Sequence, residues 1–262
     1  NRQPGVAVVG TRKPSPYGVE AAEMVAEELA VRGLNVVSGL AYGIDAAAHN
    51  QVLQAQGLTT AVMAHGLDHV YPWANRDLAK RILERGGAWV AEHAPGVKPD
   101  SRYFPSRNRI IAGLSACVVV VEAAEKGGAL ITAYQAFEYD RQVYALPGPL
   151  DSPTSKGCHQ LIRKQVAQIF TSVDDLLDDL GLMELALNAE PKLAVPAPEI
   201  PLTPEERNVL ALIRQGVEQV DMLSEQSGLG VSELMPLLLA LEFKGVLRQH
   251  PGRKFSLERR FR

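Results

Sequence analysis

Between residues 104 and 115 the chain reads FPSRNRIIAGLS, with Arg107 and Arg109 two positions apart and Asn108 between them. Guanidinium groups only donate hydrogen bonds, and their planar fork matches the oxygens of phosphates and carboxylates. Pro105 and Ser106 read as a helix start, and Ile110, Ile111 and Leu114 follow as an apolar face before a strand at 117–121. Cations are disfavoured at the positive end of a helix dipole. The placement therefore asks for an anion, which would satisfy the free N–H groups of the first turn and offset both charges. Arg107, Ile111 and Leu114 share one helical stripe, expected to face the sheet. Arg109 lies about 200° around the helix from Arg107 and points elsewhere, with a salt bridge as its competing role.

Other anion-binding candidates lie nearby in type if not in sequence. The turn VAVVGTRKPSPYG carries Arg12 just after the first apolar run. It is not the G-x-G-x-x-G of a dinucleotide site, and Ser38-Gly39 stands where an acidic ribose ligand would follow the second strand. Nicotinamide dinucleotide binding is thus not expected, whereas a guanidinium at a strand's carboxyl end suits phosphate. The Gly-Gly turn of EAAEKGGALITA offers backbone N–H groups, although such turns also serve only to reverse the chain. SPTSKGCHQLIR adds Lys156 and Arg163.

Polar pairs that suggest catalysis are less coherent. Asp45 and His49 are spaced i, i+4, and HGLDH supplies His65, Asp68 and His69. A metal site needs about three converging protein ligands, and neither stretch has HExxH or paired CxxC spacing. Nor is there a G-x-S-x-G elbow or a P-loop lysine. The expectation is anion binding with no catalytic residue, no metal and no cofactor.

The elements that must position these groups follow from periodicity. Apolar runs at 5–10, 34–39, 59–64, 88–92, 117–123 and 142–148 alternate with helical patterns. Continuous apolar strands interleaved with helices imply an α/β domain: a doubly wound, mostly parallel Rossmann-like sheet covered on both faces. This domain is expected over residues 1–182, followed by a Pro- and Ala-rich linker over 183–202. Residues 203–262 read as helix, helix, helix and hairpin, the order of a winged-helix domain. Thr203 and Glu206 form a capping box at its start. Net charge is −3 from 27 basic and 30 acidic residues, so a polyanion site must be a local patch. Cys117 and Cys158 lack metal-ligand spacing and fit a reducing cytoplasm rather than a disulfide framework. No stretch has the length of a membrane span. The chain begins at Asn1 shortly before a strand and is expected to lack an upstream segment.

Taken in order, GTR (10–12), SGLAYGIDAAAH (38–49), GLDHVYPWAN (66–75), FPSRNRIIAGLS (104–115), GALITAYQAFEYDRQVYALPGP (128–149) and SKGCHQLI (155–162) resemble the DprA/Smf family. The resemblance covers roughly residues 5–175, and a winged-helix tail fits it. It implies a cytoplasmic bacterial protein that binds single-stranded DNA, protects it during natural transformation and loads the RecA recombinase onto it. It also implies a homodimer formed through the Rossmann-like domain. By motif, Arg12, Ser38, Gly39, Phe104, Arg107 and Asn108 line the DNA pocket, with guanidinium groups on phosphates and Phe104 stacking on a base or packing the rim. Arg109 and Lys156 complete the expected nucleic-acid set. Ala64 and His159 depart from the family's usual Gly and Asn.

A rival reading comes from the lysine-decarboxylase-like phosphoribohydrolases, which share the architecture and a P-G-G-x-G-T-x-x-E signature. EKGGALITAYQA occupies the comparable place without the proline, and with Tyr134 and Gln135 where the catalytic Glu is sought. The tail is a doubtful DNA reader: its third helix carries Glu233 and Glu242 against Lys244 alone. Its helices are expected to contact protein, with auxiliary DNA contact from Arg253, Lys254, Arg259, Arg260 and Arg262.

Overall fold

The computed structural model describes residues 4–183, 202–250 and 252–257. They fall into two compact units divided between Ala194 and Val195. Most of the expected linker, together with Arg259, Arg260 and Arg262, lies outside the described residues.

In the first unit, β1 (Gly5–Val9), β2 (Asn35–Ser38), β3 (Thr59–Met63), β4 (Ala88–Ala91), β5 (Cys117–Val120), β6 (Gln142–Ala145) and β7 (Gln168–Ile169) form one sheet in the order β4-β3-β2-β1-β5-β6-β7. Every neighbouring pair is parallel. The helices are α1 (Pro16–Val31), α2 (Ile44–Gln54), α3 (Arg76–Glu84), α4 (Tyr103–Gly113), α5 (Ala129–Glu138), α6 (Lys156–Arg163) and α7 (Val173–Asp179).

Alternation along β1 shows how the layers form. Val6 and Val8 pack with α1, α2 and α7 on one face, and Ala7 and Val9 pack with α4, α5 and α6 on the other. Both faces of β1, β2, β3 and β5 are buried, which is why consecutive apolar residues run through them at Val6–Val9, Val36–Val37, Ala61–Met63 and Cys117–Val120. Connections from β1 lead through β2 to β4 on one side, and from β5 through β7 on the other. The order therefore reverses between β1 and β5, and a crevice opens beyond their carboxyl ends.

The structure departs from the sequence reading in three places. Helix α4 starts at Tyr103, three residues before Ser106, because a proline is tolerated in a first turn whose N–H groups have no intrahelical partner. Arg107 consequently sits in the second turn rather than at the helix start. Leu114 is the C-cap and is 47% exposed, so the buried stripe ends at Ile111. Helix α6, whose Cys158, Leu161 and Ile162 recur at helical spacing, and the two-residue, exposed β7 are additional to the elements read from the sequence.

The second unit contains α8 (Pro204–Arg214), α9 (Val220–Ser227), α10 (Val231–Phe243) and an antiparallel hairpin of β8 (Leu247–His250) and β9 (Lys254–Leu257). Its core gathers Val209, Leu223, Leu238, Leu241 and Phe255. Thr203 and Glu206 exchange both capping-box hydrogen bonds, at 3.2 and 2.8 Å. Buried Glu206 also accepts from Lys244 Nζ at 2.7 Å, so the cation closing α10 is held inward. Among the described residues no helix is long and apolar enough to cross a membrane.

Candidate nucleic-acid interface

The β1–α1 turn is clamped from both sides. Thr11 N donates to Glu122 O at 2.8 Å, and Ile44 N donates to Thr11 O at 3.2 Å. A Cβ on Gly10 would lie 2.5 Å from Ile44 Cγ1, so only glycine lets α2 approach the end of β1 this closely. The clamp fixes Arg12 at the mouth of a cleft of about 700 Å³. Its walls come from the β1 end, the α4 start and the Gly127-Gly128 turn.

Arg107 is 4% exposed and lies across the carboxyl ends of two strands. Its Nη1 donates to Gly39 O at 2.8 Å and to Val62 O, while Nε donates to Asn108 Oδ1 at 3.2 Å. Nη2 makes no hydrogen bond to the described residues, and Arg107 still contributes to the cleft wall. The loop it binds is braced by Asp45, whose Oδ2 accepts from Gly39 N at 3.1 Å and Ala41 N at 3.3 Å. Burial pulls Arg107 down to about 10, Asp45 pulls it back up, and Arg12 pushes it further down. It remains a cation at neutral pH. Burial raises Asp45 above the ordinary carboxylate range, with Arg107 and the two amides opposing that shift.

Phe104 is the centre of the cleft. The Arg12 guanidinium carbon lies 5.1 Å from its ring centroid and that of Arg107 5.8 Å, both within cation–π range. The ring of Tyr71 sits 5.7 Å away, tilted by 54°. Exposed Lys13 adds charge at the rim, and neither Arg12 nor Lys13 has a carboxylate partner among the described residues. The cleft thus offers a flat apolar surface flanked by cations, which suits a base with its adjoining phosphate. By position, the amides of Gly128 and Ala129 at the α5 start have no intrahelical acceptor and also border it.

The expected site residues therefore separate. Arg12, Phe104, Arg107 and Asn108 line this one cleft. The Ser38 hydroxyl donates to Val8 O at 2.7 Å inside the sheet and is fully buried. Gly39 contributes its carbonyl to Arg107 rather than a surface of its own. Arg109 turns away to an ion pair with Glu92, the competing role that its helical angle allows. Lys156 stands with Glu125, His159, Gln160 and Arg163 around a separate cleft of about 280 Å³.

Asp45 and His49 share the buried face of α2 without forming a metal site. Among the described residues no group of three or more His, Cys, Asp or Glu side chains could hold a metal ion. Tyr71 and Lys13 are not among the site residues expected from the sequence. Tyr71 lies within the stretch GLDHVYPWAN, but nothing local shows that the loop folds back onto Phe104.

Residues 1–181 match the profile described as DNA recombination-mediator protein A, and residues 194–253 match the DprA winged helix domain. Protein Smf of Escherichia coli is 41% identical over 97% of this chain, which spans 68% of that protein. DNA processing protein DprA of Streptococcus pneumoniae is 45% identical over 66% of this chain and 61% of its own length. Its crystal structure aligns with a TM-score of 0.63 at 44% identity, covering 68% of this chain and 62% of that one. DNA processing protein A from Helicobacter pylori, whose structure is described in terms of a single-stranded DNA binding mode, aligns at 0.61 and 30% identity over 68% of this chain and 80% of that one.

Proposed function

The chain belongs to the DNA recombination-mediator protein A family, and from that premise we propose that it binds single-stranded DNA in the cleft at the β1 and β5 ends. The observation that carries this reading is the Phe104 ring with the Arg12 and Arg107 guanidinium groups at 5.1 and 5.8 Å. A base stacks on any π-face and so does not require a particular sequence, while the cations take the backbone. The H. pylori relative's single-stranded DNA binding mode supports the same assignment.

In the full reading the protein acts in the bacterial cytoplasm as a homodimer joined through the Rossmann-like unit. It protects incoming single strands during natural transformation and passes them to RecA. It does no covalent chemistry on the strand. Among the described residues Asp45 is the one carboxylate in the cleft wall, and its Oδ2 already accepts from two amides. The phosphoribohydrolase alternative needs a free acid–base group there.

Fluorescence anisotropy of a labelled single-stranded oligonucleotide at two salt concentrations tests the binding. Tight, salt-sensitive association that Arg12→Ala weakens is expected, and wild-type protein that fails to bind overturns the reading. A RecA filament-assembly assay on single strands covered by single-strand-binding protein tests the loading role separately.

A further inference from the structure

Beside the first cleft lies a second of about 600 Å³, and Tyr71 and Pro99 line both. Its wall carries Trp73, which is 70% exposed. The chain's other tryptophan, Trp89, is half-buried and donates Nε1 to Ala79 O at 3.0 Å. An indole left this open places a large apolar ring in water. The Arg76 guanidinium carbon lies 4.8 Å from the Trp73 centroid and covers one face. A guanidinium stacked in this way keeps its in-plane N–H groups for an oxyanion.

The ring is held in place rather than trailing from a loop. Trp73–Asn75 form a single 3-10 turn leading into α3. Asn75 is buried and donates Nδ2 to Leu40 O at 2.9 Å and Ala41 O at 3.2 Å. This is the same β2–α2 loop that anchors Arg107 through Gly39. Both clefts are thus built on one braced segment, with Tyr71 as the shared wall.

The electrostatics suit the same ligand in both clefts. Arg76 and Lys98 have no carboxylate within ion-pair distance among the described residues. Asp68, the carboxylate in the second wall, accepts from Gly96 N at 2.8 Å and sits 3.3 Å from His69.

Resting on the single-stranded DNA reading, we propose that this second cleft is a further base-stacking subsite, in which Trp73 takes a nucleotide of the strand whose neighbouring segment occupies the Phe104 cleft. Arg76 and Lys98 hold the intervening phosphates. The strand crosses from one cleft to the other over Tyr71.

Titration of the protein with oligothymidylates of increasing length, read by both tryptophan fluorescence and anisotropy, tests this. Wild-type fluorescence is expected to be quenched by the longer oligonucleotides, and Trp73→Phe should abolish the quench while retaining affinity. Trp73→Ala should weaken the longer oligonucleotides about 5- to 150-fold and leave the shortest, which fill only the first cleft, unchanged. Arg12→Ala should weaken all lengths. Trp73→Ala that binds every length like wild type overturns the subsite while leaving the Phe104 cleft standing, and would point to a protein partner for the indole. Wild type that binds no length overturns the function and the subsite together.

Discussion

The Arg107 guanidinium occupies the space where a side chain at residue 39 would stand: a Cβ on Gly39 would lie 2.6 Å from Nη2 and 2.8 Å from Cζ. The glycine is needed so that a buried cation can reach the carbonyl ends of β2 and β3. Gly39→Ala is therefore expected to push the guanidinium off its carbonyls and cost about 1–3 kcal/mol, as overpacking does. Urea denaturation measures this, and an unchanged midpoint would mean that Arg107 is free to move.

Arg12 and Arg107 should respond differently to truncation. Arg12 is exposed, so Arg12→Ala should change stability by less than about 0.5 kcal/mol. It should lower single-strand affinity and reduce the log–log salt slope by about 0.7 for each phosphate that is no longer neutralised. Arg107→Ala should damage stability as well, because Gly39 O, Val62 O and Asp45 would lose their cation. Equal effects of the two variants on stability would refute this division of labour.

Arg109 pairs with Glu92 at the surface, and its side chain is 50% exposed. Arg109→Ala is expected to cost no more than about 1 kcal/mol and to leave DNA affinity unchanged. A drop in affinity comparable with that of Arg12→Ala would return Arg109 to the binding surface.

His49 is fully buried, with Nδ1 2.6 Å from Thr59 Oγ1. Burial, aided by the Arg107 charge, lowers it from its ordinary 6.5 to about 3. Between these values the unfolded chain binds the extra proton, so stability is full above the higher value and is lost as pH falls through it towards the lower. The expected loss from this one group is roughly 2 kcal/mol between about pH 7 and about pH 5. Chemical denaturation across that range should show a steeper pH dependence for wild type than for His49→Gln. Parallel curves would show that His49 takes up its proton alike in the folded and unfolded states.

The layered fold is legible because each strand and helix is written locally. The runs at Val6–Val9, Val36–Val37 and Cys117–Val120 are apolar on both faces, and Thr203 and Glu206 signal their own helix start. The approach of Arg12 and Arg107 is legible too, since strand ends in a doubly wound sheet converge on one edge, whereas Phe104 and Asn108 are placed beside them only by the family resemblance. What each arginine does there is less accessible. With the helix start read at Pro105 and Ser106, Arg107 looks like a bare cation awaiting an anion, whereas the extra turn from Tyr103 carries it inward.

The sequence by itself determined the alternation of strands and helices from β1 to β6, the parallel sheet this implies, the winged-helix order and the cations near the end of β1 and the start of α4, because these follow from residue patterns along short stretches. The tertiary structure decided which cations are buried and which face the cleft. Arg107 finds its carbonyls 68 and 45 positions away, Arg109 finds Glu92 17 away, and Tyr71 meets Phe104 from a separate loop. Long side chains choose partners only after the backbone has brought those partners within reach, and no local pattern records that distance.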